Sequence, residues 1–293
     1  KLTAAIATSM KLYFQENGIE DYKKYCFTDS KVFREQEVFM MISGDVSGIQ
    51  DFIYTVPSTG ALKSLRGRSV YLEILLESII DSLLEDLHLS RCNVLYSGGG
   101  HFYILGPATE TAKGIVKALE AAVNQWLLEH VGTKLYISLG MATCTGNDLI
   151  NGEKQHKLFG EASRETGKGK ISRYTKKILE DLFNPNSSIN SVREGDKECS
   201  ICHTSSVELK IYGDTESLAC HMCDSLYHLG EVLVQSEESV LGIAEEQEVL
   251  EIIPSIPIYS SNATNLYVIS KRKLEELGYS ATWKHIYVIN EAE

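Results

Sequence analysis

The sequence predicts an α+β fold, and three observations carry that prediction. Short apolar runs that read as strands alternate with two long amphipathic helices between residues 37 and 147. Three consecutive glycines at 98–100 join two of those runs as a hairpin. Further on, four cysteines in two C-x2-C pairs mark a small lobe with little core of its own. The order of runs and helices is β-α-β-β-α-β, provided that the run at 38–43 is the first strand and a further short strand completes the sheet. That order describes a ferredoxin-like sandwich, two helices covering one face of an antiparallel sheet.

The elements follow from the residues in turn. Residues 2–16 read as a helix, and a polar linker runs on to Gln36. EVFMMISGDVSGIQDF is a β-rich apolar run that breaks at Gly44-Asp45. The loop TVPSTGALKS leads into a helix from about Gly67 to Leu87, where Leu72, Leu75, Leu76, Ile79, Ile80, Leu83 and Leu87 recur at helical spacing. Glu73, Glu77, Asp81 and Glu85 recur on the opposite face and read as a solvated stripe. NVLYS and HFYILG are the hairpin strands. A second helix spans 110–130 with Ile115, Val116, Leu119, Val123 and Trp126 on one face, and KLYISLGMATC closes the unit as a strand.

Beyond Asn147 the chain changes character. A basic helical segment and a turn-rich linker, NPNSSINSVREGD, fill 148–195. The cysteine lobe occupies 196–228, with a hairpin expected at LKIYGDTESL. Residues 229–293 hold an acidic helix to about 240 and then EVLEIIPSIPIYS, NLYVISKRKLEEL and HIYVIN, which alternate as strands do and suggest the start of another sheet. Residues 1–36 are a helical lead-in to the sandwich at 37–147. Residue 1 is a lysine within the first helix, with no initiator methionine and no charged-then-apolar leader, so the chain reads as a piece of a longer one.

Composition narrows the function. The net charge of −12 argues against a stand-alone nucleic-acid binder. No apolar run approaches the roughly 18 residues of a membrane span, so no membrane partner is expected. Basic residues gather at Lys154, Lys157, Arg164, Lys168, Lys170, Arg173, Lys176 and Lys177, whereas 212–270 carries no Lys or Arg. Any phosphate contact belongs to the first stretch; a solvated helical face explains it equally well.

Cys26, Cys92 and Cys144 stand alone and read as reduced thiols. Cys199, Cys202, Cys220 and Cys223 form C-x2-C-x17-C-x2-C. Without a secretory signal the setting is a reducing cytoplasm, where such pairs read as ligands of a structural Zn2+ before disulfides. His203 and His221 stand beside them and are possible substitutes, but four thiols already complete a tetrahedral site.

Some ferredoxin-like sheets are nucleotide-polymerising palms. These need carboxylates at the end of the first strand and at the tip of the next hairpin, to hold two divalent ions against a triphosphate. Here the first strand ends in Gly44-Asp45-Val46-Ser47, but the tip reads Gly98-Gly99-Gly100-His101 where a palm has Gly-Gly-Asp-Asp. A lone Asp45 cannot hold two metals, and as a cap on the turn after a strand it is equally well explained.

ISGDVSGIQDFIY, LKSLRGRSVYLE, LYSGGGHFYIL and the four-cysteine insertion resemble the large signature subunit of type III CRISPR effector complexes, Csm branch. In that family an HD nuclease domain acting on single-stranded DNA precedes a first palm, a zinc-binding linker, a second palm with Gly-Gly-Asp-Asp and a helical domain. The resemblance implies that this chain holds the first palm and the zinc linker, with its first helix joining them to an HD domain. It implies two facing palms that each bind ATP, with Mg2+ or Mn2+ mainly on the second, which makes cyclic oligoadenylates when target RNA is bound. Guide RNA, target RNA and other Csm-type subunits are the implied partners, and this chain alone is expected to be inactive. Carried over position by position, Asp45, Ser47, Gly48, Ser97, Gly98, Gly99 and Gly100 line the first palm's ATP pocket. Arg66 and Arg68 are either assisting cations at a helix start or plain surface residues, with Lys168 and Lys170 as further candidates. The competing reading is a non-enzymatic scaffold that binds the other subunits or RNA.

Overall fold

The computed structural model describes residues 1–56, 60–187, 197–205, 208–212, 217–235, 239–245, 255–260, 264–278 and 283–288. In chain order the first part runs α1 (Leu2–Glu16), α2 (Ser30–Phe33), β1 (Glu37–Ser47), α3 (Ile49–Tyr54), α4 (Ala61–Asp86), β2 (Val94–Gly98), β3 (His101–Pro107), α5 (Glu110–Val131), β4 (Tyr136–Thr145), α6 (Gly152–Ile171) and α7 (Lys176–Phe183). The second part runs β5 (Leu209–Ile211), β6 (Leu218–Cys220), α8 (His221–Gln235), β7 (Ser239–Glu245), β8 (Ser255–Ile258), β9 (Thr264–Ser270), α9 (Lys271–Leu277) and β10 (Trp283–Val288). The chain divides into two compact units, residues 1–48 with 79–175, and residues 49–78 with 176–293.

The first unit is built on a four-stranded antiparallel sheet in the order β2-β3-β1-β4. Among the described residues it is complete with β4, so the further strand expected from sequence is not needed. Alternation along β1 divides the core in two. Phe39 and Met41, the latter opposite Leu105 of β3, point to a cluster that α1 fills with Ala5 and Phe14 and α6 with Leu158 and Ala162. Met40 and Ile42 point the other way and are fully buried, as are Phe102, Ile104 and Ile137. Val116, Leu119 and Val123 of α5 and Ile79, Ile80 and Leu83 of α4 are buried in the same unit. The sheet thus carries α1 and α6 on a face that the sequence left open. Helix ends obey local chemistry: the Thr109 hydroxyl accepts from Ala112 N at 3.2 Å, and Asn151 Oδ1 accepts from Lys154 N at 3.1 Å.

Two expectations are corrected. α4 begins at Ala61 rather than at about Gly67. Asp81, read as part of a solvated stripe, is buried, with Arg91 Nη2 2.7 Å from its carboxylate.

In the second unit, β7–β10 form an antiparallel sheet in the order β10-β7-β9-β8. The sheet anticipated at the C-terminal end is therefore present, but the helix expected to about 240 ends at Gln235, β7 follows it as a strand that sequence did not assign, and α9 interrupts the strands. The expected cysteine-lobe hairpin is β5 paired with β6; its tip at 213–216 lies outside the described residues. α4 and α8 meet through glycines. A Cβ on Gly67 would lie 1.8 Å from Leu226 O, and one on Gly230 would lie 1.7 Å from Lys63 O.

Candidate functional site

The end of β1 and the β2–β3 tip are held together by the sheet register. Asp45 lies directly opposite His101, and Val46 N donates to Gly100 O at 2.9 Å. Gly99 has φ +62° and Gly100 φ +85°, left-handed conformations that L side chains rarely adopt. Gly48, at the end of β1, has φ +88°, and a Cβ there would stand 1.8 Å from Lys134 O. Ser47 and Ser97 are half-buried at the same end of the sheet. Asp45, Ser47, Gly48, Ser97, Gly98, Gly99 and Gly100 are thus brought to one end of one sheet.

The charges at this tip are specific. His101 Nε2 donates to Asp45 Oδ2 at 2.8 Å, and Lys170 Nζ donates to the same oxygen. Lys170 arrives through α6. Gly140 lets that helix lie against β4, since a Cβ there would come within 2.3 Å of Ala162 O. Ser138 Oγ then donates to Thr166 O at 2.8 Å, and Thr166 Oγ1 donates to Ser43 O at 3.3 Å. One turn later Lys170 stands over Asp45. The carboxylate is therefore occupied by two nitrogen donors, one of them the Lys170 ammonium, and such a set suits an anion better than a metal. Sequence reasoning missed His101 as a partner of Asp45. It also passed over Tyr96, which is exposed with its hydroxyl beside Gly98. Lys168 is turned away, bonded to Glu165 at 2.6 Å.

Arg66 and Arg68 belong to the second unit. Arg66 is exposed. Arg68 is not available to a nucleotide: it is buried, and its guanidinium donates to Phe52 O at 3.0 Å and to Cys223 Sγ at 3.2 Å.

The four cysteines of the two C-x2-C pairs converge, with all sulphurs within 4.8 Å of one another. A divalent ion about 2.3 Å from each thiolate sets S···S separations of roughly 3.8 Å; Cys202 and Cys220 are 3.6 Å apart. The first turn is closed by His203 N donating to Cys199 O at 2.9 Å, with His203 itself at φ +58°. Cys220 N donates to Cys199 Sγ at 3.3 Å. Hydrogen bonds from Cys202, Cys220 and Cys223 hold the Cys199 thiol far below its ordinary range, while the same crowding pushes Cys223 up. Four sulphurs competing for protons in this way form a donor set that a divalent cation satisfies at once. Among the described residues neither His203 nor His221 joins the cluster. Of the isolated thiols, Cys144 is pushed up to about 12 by burial.

Residues 38–188, just over half of the chain, match the family described as Csm1 subunit domain B. A curated relative from Mycobacterium tuberculosis, a "CRISPR system single-strand-specific deoxyribonuclease Cas10/Csm1 (subtype III-A)", is 40% identical over 238 residues, 77% of this chain and 29% of its own length. The Streptococcus thermophilus protein of the same description is 36% identical over 260 residues, 87% of this chain and 32% of its own length. This chain thus spans about a third or less of these relatives. Among solved structures, a Csm1–Csm4 subcomplex of the type III-A CRISPR-Csm interference complex superposes with TM-score 0.58 at 22% identity, covering 91% of this chain and 29% of that one. A Csm1–Csm4 cassette in complex with cA3 superposes with TM-score 0.51 at 18% identity, covering 93% and 49%. With a domain match through the β1–β4 sheet and relatives of one description across most of its length, the chain belongs to the Cas10/Csm1 family of subtype III-A CRISPR systems.

Proposed function

We propose that the β1–β4 unit is a nucleotide-holding palm of a type III-A large subunit, which binds ATP at its hairpin and leaves catalysis to a second palm. The observation that carries this reading is the Asp45–His101–Lys170 cluster. At the two places where a polymerising palm has metal-binding acids, the chain has one carboxylate already bonded to an ammonium and an imidazole. Such a tip can receive phosphate oxygens through Lys170, His101, the Ser97 hydroxyl and the backbone N–H groups of Gly99 and Gly100. The exposed Tyr96 ring offers a face for the base. Paired with a palm that holds Mg2+ or Mn2+, this one would present an ATP for joining into cyclic oligoadenylates; the cA3 complex of a structural neighbour supports that product class. Other Csm subunits, guide RNA and target RNA are the proposed partners and the cytoplasm the proposed setting, in keeping with the Csm1–Csm4 neighbour. Zn2+ is the metal proposed for Cys199, Cys202, Cys220 and Cys223, because a closed four-thiolate tetrahedron suits it and leaves no open position for chemistry.

Calorimetric titration of the chain with ATP tests the palm reading. Saturable binding in the millimolar range or tighter is expected with or without Mg2+, weakened about tenfold in Lys170→Met and Ser97→Ala, the loss of one charge-assisted hydrogen bond. Absence of saturable binding at millimolar ATP would refute the ATP site and favour the non-enzymatic scaffold. Elemental analysis tests the metal: about one zinc per chain is expected and none in Cys199→Ser.

A further inference from the structure

We infer that Arg68 is a positioning residue of the four-cysteine metal site, the buried positive charge that offsets its thiolates and ties the site to helix α4. This rests on reading Cys199, Cys202, Cys220 and Cys223 as metal ligands. Arg68 is 2% exposed, and a guanidinium is always charged, so it needs a counter-charge in place. Its donors go to Ser64 Oγ at 3.4 Å, Phe52 O at 3.0 Å and Cys223 Sγ at 3.2 Å, and its Cζ lies 5.0 Å from the Phe52 ring centroid. Among the described residues no carboxylate is in ion-pairing reach of it, so the sulphur is its anionic partner.

The charge balance agrees from the metal's side. Four thiolates around one divalent ion leave an excess of about two negative charges, in a lobe where Cys199, Cys220 and Cys223 are all buried. A hydrogen bond and a full positive charge on Cys223 Sγ lower that excess where water cannot. Groups that contact a ligand in this way set its orientation and basicity.

The contact also explains the local packing. Arg68 follows Gly67, the residue that lets α4 come within van der Waals contact of Leu226 on α8, the helix that begins just after Cys220 and carries Cys223. Lys63, one turn earlier on α4, bonds Glu231 of α8 at 2.7 Å. Seating the metal, orienting Cys223 and docking the first half of α4 are then one event. The Arg-Gly-Arg run, which sequence suggested for a nucleotide, serves the metal through its second arginine.

The test uses Co2+ as the probe, since its thiolate charge-transfer absorption reports the electron density on sulphur. The chain is stripped of metal, titrated with Co2+, and compared with Arg68→Met, Arg68→Lys and Lys63→Met. For Arg68→Met, Co2+ affinity should fall roughly 10–100-fold, and the sulphur-to-cobalt band should move to lower energy because the sulphur has lost its donor. Arg68→Lys, which keeps the charge but not the two-point reach, should lie between. Lys63→Met should weaken the α4–α8 contact and leave the band in place, which separates loss of packing from loss of the sulphur partner. Should Arg68→Met not fold, the band position in Arg68→Lys decides alone. Bands and affinities in the Arg68 variants equal to those of the unsubstituted chain would overturn the inference while leaving the metal site standing. A chain that takes up no Co2+ would overturn both.

Discussion

Replacing Gly67 by alanine sets two physical effects against each other, and the structure decides which wins. Within a helix, alanine is favoured over glycine by about 1 kcal/mol, so Gly67→Ala would stabilise an α4 that stood alone. In the folded chain the new Cβ would lie 1.8 Å from Leu226 O and 2.9 Å from Gly230 N, both backbone atoms that cannot swing aside. Contact distance for such a pair is roughly 3.5 Å, so the two helices must part by more than an ångström. Parting them stretches the 2.7 Å Lys63–Glu231 bond and the 3.2 Å Arg68–Cys223 bond. Overpacking of this kind costs about 1–3 kcal/mol, and a lost hydrogen bond to a charged group adds about 1.5 or more. The net expectation, with the helix preference for alanine set against both costs, is a destabilisation of about 1.5–3.5 kcal/mol. Native-state hydrogen exchange of the α4 and α8 amides reads this locally and requires no two-state unfolding of a two-unit chain. Gly114→Ala in α5 and Gly160→Ala in α6, where a Cβ meets nothing within 4 Å, are the controls and should gain about 0.5–1 kcal/mol. Protection in Gly67→Ala equal to or above that of the unsubstituted chain would refute the close-crossing argument.

Three further outcomes follow from the first unit. Gly48→Ala combines φ +88° with a 1.8 Å approach to Lys134 O and should destabilise by about 2 kcal/mol or more, read as a lowered thermal midpoint. Asp148 is held down to about 2 by hydrogen bonds from the Lys154 ammonium and from the Thr145 backbone and hydroxyl. Because its folded pKa lies below the unfolded value near 3.9, its contribution is complete above about pH 4 and is lost as pH falls through about 2; stability in that window should depend less steeply on pH in Asp148→Asn. His101→Asp places a second carboxylate opposite Asp45 and removes a nitrogen donor, so nucleotide binding without Mg2+ should weaken by about tenfold or more and become Mg2+-dependent in titrations. Binding unaffected by Mg2+ in that variant would count against the tip as the phosphate site.

What the sequence disclosed depended on whether the signal was periodic or depended on partners far along the chain. β1, β3 and β4 show as apolar runs because both faces of the sheet are covered, and α5 shows through its spaced Val116, Leu119 and Val123. The cysteine site was legible because ligand spacing carries coordination geometry almost by itself. The start of α4 was not, since its buried face there is Ser64, Gly67 and Arg68, small or charged residues that an apolar-period reading passes over. β7, Ser-Val-Leu-Gly-Ile-Ala-Glu, follows directly on the acidic helix read to about 240, and sequence assigns it to no element; its strand is held by β9 and β10, which pair on either side of it from far along the chain. Asp81 looked solvated for a related reason: its partner, Arg91, lies beyond the end of the helix.

The basic stretch at 153–177 is the case in which sequence and structure diverge most usefully. Read along the chain it offered two alternatives, a phosphate-binding surface or a solvated face, and the structure separates one lysine from the rest. Lys157 and Lys176 face Glu161 and Glu180 one turn on, and Lys168 faces Glu165 one turn back, solvent-screened pairs of little energetic weight, whereas Lys154 meets the half-buried Asp148 whose carboxyl it holds down. Lys170 alone among these is carried to a carboxylate 125 residues earlier. No local pattern marks it; the sequence signal is indirect, in Gly140 and Gly169, which let α6 lie close against β4 beside Ser138. The consequence is chemical as well as structural. A carboxylate left alone at the end of β1 would attract a cation, whereas one already bonded to an ammonium and an imidazole does not. The glycine hairpin and the α6 lysine therefore have to be considered as one device, and removing Lys170 should do more to the ligand preference of the tip than removing any other cation of the stretch.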